Sequence, residues 1–430
     1  MTLISGTGPT LVRKSVYGII FNYLQSVYGS YGEGGDSSSV LSLLKEFTKE
    51  PILRLFGLTR TNPSSEYCLA DPINDRDFLE IQENLTALLI RVMEVTAGTN
   101  GSSFFKSVVC PADADAFTGL LNAWKARWIG LIASMAFQHS PAIQSRAFIA
   151  LGSLATSDVD DDFMYQIVVA FKVALAKCSD TETASVVCML RCICQVVPAL
   201  SPNSKYTAPL FWLAVALLQS SHIAFYSQAT ELLRQTLLVL EEHQAFVAHT
   251  VPEILYDARM HLEDTLDQLD HLLGLSFETS FSFSLSAIIF KAIRHSGLKE
   301  CAETALRNLL QVTVRHSPPP DHTATGSINP EALGYFLALI PIAKTPQLYL
   351  ELVESCNVPG HWDLDREDSV PRISIDFLGI EDEATALLAV SFVGAMLANA
   401  QGDETETEML WTLLSDVGGV FPDVVAMAYV

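Results

Sequence analysis

The sequence predicts an all-α fold, an α-α superhelix in which antiparallel helical hairpins stack as a HEAT/ARM-like solenoid. Three neighbouring segments support this prediction. Residues 210–218 are all apolar, so a helix there is apolar on every side and buried. The next two segments, 222–246 and 251–274, are each apolar along one helical stripe. A buried helix flanked by one-sided helices is the pattern that stacked helical layers require.

The composition and charge indicate a folded, acidic chain. Its 430 residues are 49% apolar and 17% charged, which is typical of an ordered protein. The formal net charge of −23 repels nucleic-acid phosphates and anionic lipid surfaces. We therefore expect protein partners, no nucleic acid and no direct membrane insertion. Scattered cysteines and a start without the pattern of a signal peptide predict a cytoplasmic protein.

Helical patterns run from one end of the chain to the other. Ser140 before Pro141 predicts a helix start, because a hydroxyl caps a helix and proline suits its first turn. The carboxylates of residues 160–162 favour another start, since a helix N-terminus attracts negative charge. Apolar residues from Leu298 to Leu310 follow one helical stripe. The predicted helices cover residues 10–28, 37–47, 76–97, 114–137, 141–155, 160–178, 181–199, 204–219, 222–246, 251–274, 280–296, 298–315, 329–343, 346–356, 382–400, 404–416 and 420–428.

Two segments allow a second interpretation. Residues 281–287 alternate apolar side chains with serine, which is strand periodicity. We expect a helix there, because a lone strand would have no pairing partner. Residues 384–401 carry no charge, but they are rich in small residues and barely reach the length that spans a bilayer. Acidic residues flank this segment on both sides, so we expect a core helix.

The helices predict one irregular solenoid over residues 1–430. Their lengths follow no strict period, which fits degenerate helical hairpins of roughly 40–47 residues. A proline-rich loop at 317–329 suggests a subdivision of this solenoid. N-terminal helices would occupy 1–110, a central array 111–316 and C-terminal helices 329–430.

Two patterns resemble metal sites without completing them. Asp158, Asp160 and Asp162 match the first ligands of a calcium loop, but phenylalanine and valine stand where that loop needs glycine and glutamate. We interpret these carboxylates as helix-start residues. The three cysteines at 188–194 have no histidine nearby and no second cysteine pair, so we expect buried structural thiols.

Asp264, Asp267 and Asp270 form an acidic row on a predicted helix. An apolar stripe from Ile254 to Leu273 takes the inward face of the same helix, so we expect the carboxylates on its solvated side.

Catalytic motifs are missing. The chain has neither a nucleophile elbow nor a phosphate-binding loop, and the glycosylation sequon at Asn84 falls within a predicted helix. The sequence therefore predicts that the chain is not an enzyme. It assigns no catalytic, cofactor-binding or metal-ligating residue and no cofactor.

Several segments resemble one known family in residues, order and spacing. They are 124–128 (WKARW), 136–138 (AFQ), 140–147 (SPAIQSRA), 210–216 (LFWLAVA), 270–277 (DHLLGLSF), 281–283 (FSF), 294–295 (RH) and 420–422 (VFP). Together they resemble the C-terminal helical region of the neurofibromin family of Ras GTPase-activating proteins and its fungal relatives. The resemblance covers nearly the whole chain, and it is strongest at 124–147 and 206–315.

The resemblance implies a HEAT/ARM-like arm that surrounds the catalytic part of such a protein and helps to form its dimer. In that family the arginine finger, which stabilises the transition state of phosphoryl transfer, belongs to a separate GAP domain. The Phe-Leu-Arg signature of that domain is missing here. The resemblance therefore implies a non-catalytic scaffold and dimerisation region, which binds itself or an upstream Ras-GAP core and acts on Ras only indirectly.

Two departures from the family pattern modify this expectation. The segment 357–376 is short and acidic, whereas the animal proteins carry a long basic insertion with a proposed nuclear-import signal at this place. Nuclear import through such a signal is therefore not expected. The chain also stops where the family continues, and we expect a fragment of a longer protein.

Two other functions also have to be considered for this sequence. A free-standing acidic HEAT-type adaptor would bind basic protein partners, in agreement with the net charge. A hydrolase or metal enzyme ranks last, because no motif supports it. We expect contact surfaces on the amphipathic helices beside 210–218, and the sequence assigns no contact residue.

Overall fold

The computed structural model describes residues 9–30, 37–58, 76–103, 114–138, 141–156, 159–179, 183–220, 222–260, 276–317, 327–343, 345–356, 375–400 and 404–428. These residues form helices and no strand, with one isolated backbone bridge between Val159 and Leu200. The chain divides into two compact units, Met1–Ser201 and Pro202–Val430. The predicted all-α class is confirmed, and helices within each unit pack on one another as solenoid helices do.

The described part of the first unit consists of helices that pack on one another. They are α1 (Thr10–Gly29), α2 (Ser38–Phe47), α3 (Glu50–Leu55), α4 (Arg76–Ser103), α5 (Ala114–Ala136), α6 (Pro141–Leu154), α7 (Asp161–Ala176) and α8 (Ala184–Val196). The helices α1 to α4 bury a shared apolar core that includes Leu24, Leu43 and Phe47. Beyond it, α6 packs between α4 and α8, while α5 lies on α6 and α7 on α8.

The second unit continues this helix-on-helix packing. Its helices are α9 (Thr207–Leu218), α10 (Ile223–Glu242), α11 (Val251–Met260), α12 (Phe281–Phe290), α13 (Lys299–His316), α14 (Pro330–Leu339), α15 (Pro346–Glu354), α16 (Ile375–Leu378), α17 (Glu383–Ala398), α18 (Glu404–Val420) and α19 (Pro422–Ala428). Consecutive helices pack as pairs, as α9 does on α10. Next-but-one pairs, such as α12 with α14, join these pairs into layers.

The apolar segment that led to the fold prediction is the buried helix α9. Phe211 and Trp212 are almost completely buried, and side chains on all sides of the helix are shielded from solvent. The neighbouring helix α10 buries its predicted stripe of Phe225, Ala229, Leu232, Leu233, Thr236 and Leu240, and it also buries Tyr226, Thr230, Leu237 and Val239. The prediction of a buried α9 is confirmed, whereas α10 is covered more widely than the predicted single stripe.

The two ambiguous segments are both helices. The serine-alternating segment begins α12, whose side chains are buried almost throughout, including Ser282, Ser284 and Ser286. The uncharged segment is α17, which buries one side of its surface and leaves Leu387 37% exposed. No helix in the described ranges is both long enough and apolar enough to cross a membrane.

Two helices are shorter than predicted because of proline. The helices α8 and α14 give way to 3₁₀ turns at Val197–Ala199 and Ile340–Ile342, where the sequence predicted continuous helix. Pro198 and Pro341 lie inside these turns and have no amide hydrogen to continue an α-helix. The subdivision predicted at residues 110 and 329 stays a prediction.

Candidate functional site

Asp160, one of the residues of the incomplete calcium pattern, caps a helix. Its Oδ1 accepts a hydrogen bond of 2.7 Å from the amide of Phe163 at the start of α7. Asp162 lies exposed in the first turn, and Asp158 lies outside the described residues. The interpretation of Asp160 as a helix-start residue is confirmed, because it satisfies an amide that the helix leaves unpaired.

The three cysteines of α8, Cys188, Cys192 and Cys194, are buried. Burial raises the pKa of Cys188 to about 12, although a hydrogen bond with Ser145 opposes part of the shift. Burial also raises the pKa of Cys192. Both thiols stay protonated at neutral pH, and a protonated thiol is a poor nucleophile and metal ligand. The predicted buried structural thiols are confirmed.

The helix predicted to carry the acidic row is described only as far as Met260, so Asp264, Asp267 and Asp270 lie outside the described residues. In α11 the buried side chains are Val251, Leu255 and Arg259.

The inward face of α11 therefore differs from the predicted stripe. Ile254 and Ala258 were expected on that face, but both are only half-buried. The buried set lies one position further along the chain, because the arginine at 259 packs inward. Within the described ranges, no three His, Cys, Asp or Glu side chains are grouped so that they could hold a metal ion.

Arg259 is buried between two aromatic rings. Its guanidinium carbon lies 4.6 Å from the ring centre of Trp212 and 4.6 Å from that of Phe277. The indole nitrogen of Trp212 donates a hydrogen bond of 2.7 Å to the carbonyl of Leu255, one turn before the arginine. Cation–π contacts strengthen when the cation is desolvated, so this cluster fixes α11 against α9.

A second arginine, Arg294, forms an ion pair with the buried carboxylate of Glu406. Nη1 lies 3.2 Å from Oε2, and Nη2 donates to Oε1. Nη2 also donates to the carbonyl of Met396 at 3.5 Å. The Glu406 side chain is 3% exposed, whereas that of Arg294 is 30% exposed. The pair connects the segment after α12 to α17 and α18.

A third polar cluster joins α4 to α8 in the first unit. Arg191 holds the carboxylate of Glu83 with two hydrogen bonds, of 2.6 Å from Nε and 3.0 Å from Nη2. The side-chain amide of Gln195 donates to the same carboxylate at 2.8 Å. Bidentate pairing of this kind orients both side chains. These arginines therefore hold helices together and are already occupied by partners in the fold.

The helix α5 carries an exposed apolar and basic surface. Trp124, Arg127, Trp128, Leu131 and Met135 follow one helical stripe, which we call the α5 face. Trp124 is 47% exposed, Leu131 59% and Met135 38%, while Trp128 is half-buried. The adjacent side of α5 buries Ile132 and Ala136, and α5 packs on α6. Large exposed apolar side chains in one stripe mark a contact surface.

A second exposed stripe lies on α7. Tyr165 is 58% exposed, Val169 41% and Val173 50%, and they recur every four residues. Asp162 and Lys172 lie exposed beside them, so this stripe carries charges of both signs.

The segments that carry the family resemblance fall into two groups. Residues 210–216 and 281–283 lie in α9 and α12, where Phe211, Trp212 and Phe283 are buried. The segment 124–128 instead lies in α5, where Trp124 and Arg127 are exposed. No protein-family model matches this chain.

Sequence reasoning assigned no contact residue and did not identify the α5 face. The signal was present in the spacing of two tryptophans, a leucine and a methionine. A stripe of that composition is typical of a buried helix face. Only the exposure of these side chains in the structure distinguishes a contact surface from a core face.

Proposed function

We propose that the chain is a non-catalytic scaffold and dimerisation region of a Ras GTPase-activating protein of the neurofibromin family. The observation that carries this proposal is the series of sequence segments that resembles the family in residues, order and spacing. The all-α fold, with helices stacked on helices, is compatible with a HEAT/ARM-like arm.

The polar clusters support a role without catalysis. An arginine finger must reach out of its own domain and place its guanidinium on a transferring phosphoryl group. Arg259 is buried between aromatic rings, and Arg191 and Arg294 are held by carboxylates. These three arginines are therefore not available as an arginine finger. From the family resemblance and the missing Phe-Leu-Arg signature, we propose that GTP hydrolysis is stimulated by a GAP domain elsewhere and that this chain acts on Ras only indirectly.

The proposed partners are a second copy of the chain and an upstream Ras-GAP core, and the proposed compartment is the cytoplasm. The net charge of −23 disfavours nucleic acid and anionic membranes as partners. Stacked helical layers offer long surfaces for protein contacts without any need for a cofactor.

Light scattering coupled to size-exclusion chromatography tests the proposed assembly. The purified chain has a mass of 47.0 kDa as a monomer, and we expect a concentration-dependent dimer. Adding the chain to Ras loaded with GTP should leave the rate of hydrolysis unchanged. A strict monomer at high concentration that also fails to bind a neurofibromin-family GAP core would overturn the proposal.

The net charge favours one alternative, a free-standing acidic adaptor for basic proteins. This alternative predicts that the chain captures basic proteins in a pull-down and releases them as salt is added. Retention of the same proteins at high salt would contradict it, because screening weakens exposed charge contacts.

A further inference from the structure

The α5 face is locally basic, although the chain as a whole is acidic. Residues 122–138 contain no aspartate or glutamate, although the chain as a whole has 49 acidic residues. Lys125 forms an ion pair of 2.8 Å with Glu94, so its charge is neutralised within the fold. Arg127 is exposed, and among the described residues its guanidinium makes no ion pair. The face therefore presents one uncompensated positive charge between two tryptophans.

The composition of the face is that of a protein-binding surface. Tryptophan, arginine and methionine are enriched at the centres of protein interfaces, and tryptophan and arginine dominate their binding energies. A helical partner contacts such a stripe through apolar residues at positions i, i+3 or i+4, and i+7.

We propose that the α5 face docks an acidic amphipathic helix of a partner protein. Apolar side chains of that helix would pack on Trp124, Trp128, Leu131 and Met135, and a carboxylate would accept hydrogen bonds from Arg127. Charge-assisted hydrogen bonds of this kind are about twice as strong as neutral ones. A basic helix would place a like charge beside Arg127, which disfavours it at this face. This proposal does not depend on membership of the Ras-GAP family, since it rests on the face alone.

The exposed stripe of α7 provides an internal comparison. It has aromatic and β-branched side chains with similar exposure, but Asp162 and Lys172 give it no single sign of charge. It therefore offers no electrostatic preference for an acidic partner, and Tyr165→Ala is a matched control for Trp124→Ala.

A selection from a random phage-displayed peptide library on the immobilised full chain tests the proposal. We expect enriched peptides with net negative charge and with leucine or aromatic residues at helical spacing. The best peptide, synthesised and titrated against the chain, should bind at least about tenfold more weakly to Trp124→Ala and to Arg127→Glu. Tyr165→Ala should change its affinity by less than about twofold. Both altered side chains on α5 are exposed, and circular dichroism of each variant confirms that it is folded.

Several outcomes would overturn the proposal. Enriched peptides without an acidic excess, no enrichment at all, or equal binding to Arg127→Glu would each do so. A dimer of the chain that dissociates in Trp124→Ala would assign the face to a second copy instead. Binding to phosphatidylserine vesicles that Trp124→Ala abolishes would assign it to a membrane. Because the oligomeric state is measured separately, the scaffold proposal and this one can fail independently.

Discussion

Gly334 of α14 packs directly against the backbone of Ser282 in α12. A methyl group on Gly334 would lie 2.5 Å from the carbonyl carbon of Ser282 and 2.6 Å from the amide nitrogen of Phe283. These distances are shorter than any van der Waals contact, and backbone atoms cannot rotate away as a side chain can. The two helices therefore approach as closely as they do because residue 334 has no side chain.

We expect Gly334→Ala to destabilise the chain by about 1–3 kcal/mol, the usual cost of overpacking a core. Chemical denaturation followed by circular dichroism measures the change. Gly394→Ala is the matched control, since a methyl group there meets no atom within 4 Å. Because alanine favours helix over glycine, the control should gain up to about 1 kcal/mol. Equal effects at the two positions would contradict the close approach.

The second prediction concerns Trp212. Replacing it with alanine should cost about 3–5 kcal/mol, because a large buried ring is lost and a cavity is left. Trp212→Phe keeps an aromatic ring but leaves the buried carbonyl of Leu255 without its donor, so it should cost about 1–3 kcal/mol. Trp411→Ala is the control, since that ring is 55% exposed. A large loss of stability in Trp411→Ala would contradict this prediction, because it would show that burial of the ring does not determine the free energy lost.

The third prediction concerns the ion pair between Arg294 and Glu406. Arg294→Ala removes the arginine that faces a buried carboxylate, and we expect a loss of about 2–3 kcal/mol. The value lies below the usual range for a buried pair because Arg294 is partly solvated. The double variant Arg294→Met, Glu406→Leu should recover most of the loss, since it leaves no unpaired charge. Arg307→Ala, in a pair within α13, should cost less than about 1 kcal/mol.

The fourth prediction concerns the pH dependence of stability through Glu331. Burial raises the pKa of Glu331 at the start of α14, and the neighbouring Glu253 adds to the shift, while the Thr250 hydroxyl opposes it in part. A carboxyl whose pKa is raised by folding stabilises the folded state while it is protonated. That contribution is lost as the pH rises through the folded-state pKa.

Glu331→Gln should therefore be more stable than the parent chain at neutral pH. The advantage should shrink as the pH falls towards about 4, where the carboxyl of the unfolded chain is also protonated. Thermal unfolding at a series of pH values measures the difference, with the exposed Glu408→Gln as the control. An advantage of Glu331→Gln that stays constant with pH would contradict the raised pKa.

Much of the fold followed from apolar spacing alone. The segment at α9 is apolar on every side and is buried, and the stripes predicted at α10 and α13 are buried apart from Cys301. The six-residue α3 was not predicted, because one and a half turns are too short to display a period.

The remaining differences arise from tertiary contacts. A spacing rule places an arginine at the surface, yet Arg259 is buried because the rings of Trp212 and Phe277 enclose it. Conversely, the rule places Trp124 and Leu131 in a core, yet both are exposed. Local pattern shows that a stripe is apolar, but only the positions of other helices show whether anything covers it.

The burial of α9 also affects how the chain is made. Leu255, which accepts the hydrogen bond from Trp212, lies 43 residues further along the chain. At about 5–20 residues per second, a ribosome needs roughly 2–9 s to synthesise that interval. The same interval separates the emergence of α9 from the exit tunnel and the emergence of the segment that shields it. Nascent chains arrested when α9 has emerged and Leu255 has not should therefore bind chaperones that recognise exposed apolar segments, and released truncations that end between Trp212 and Leu255 should be insoluble.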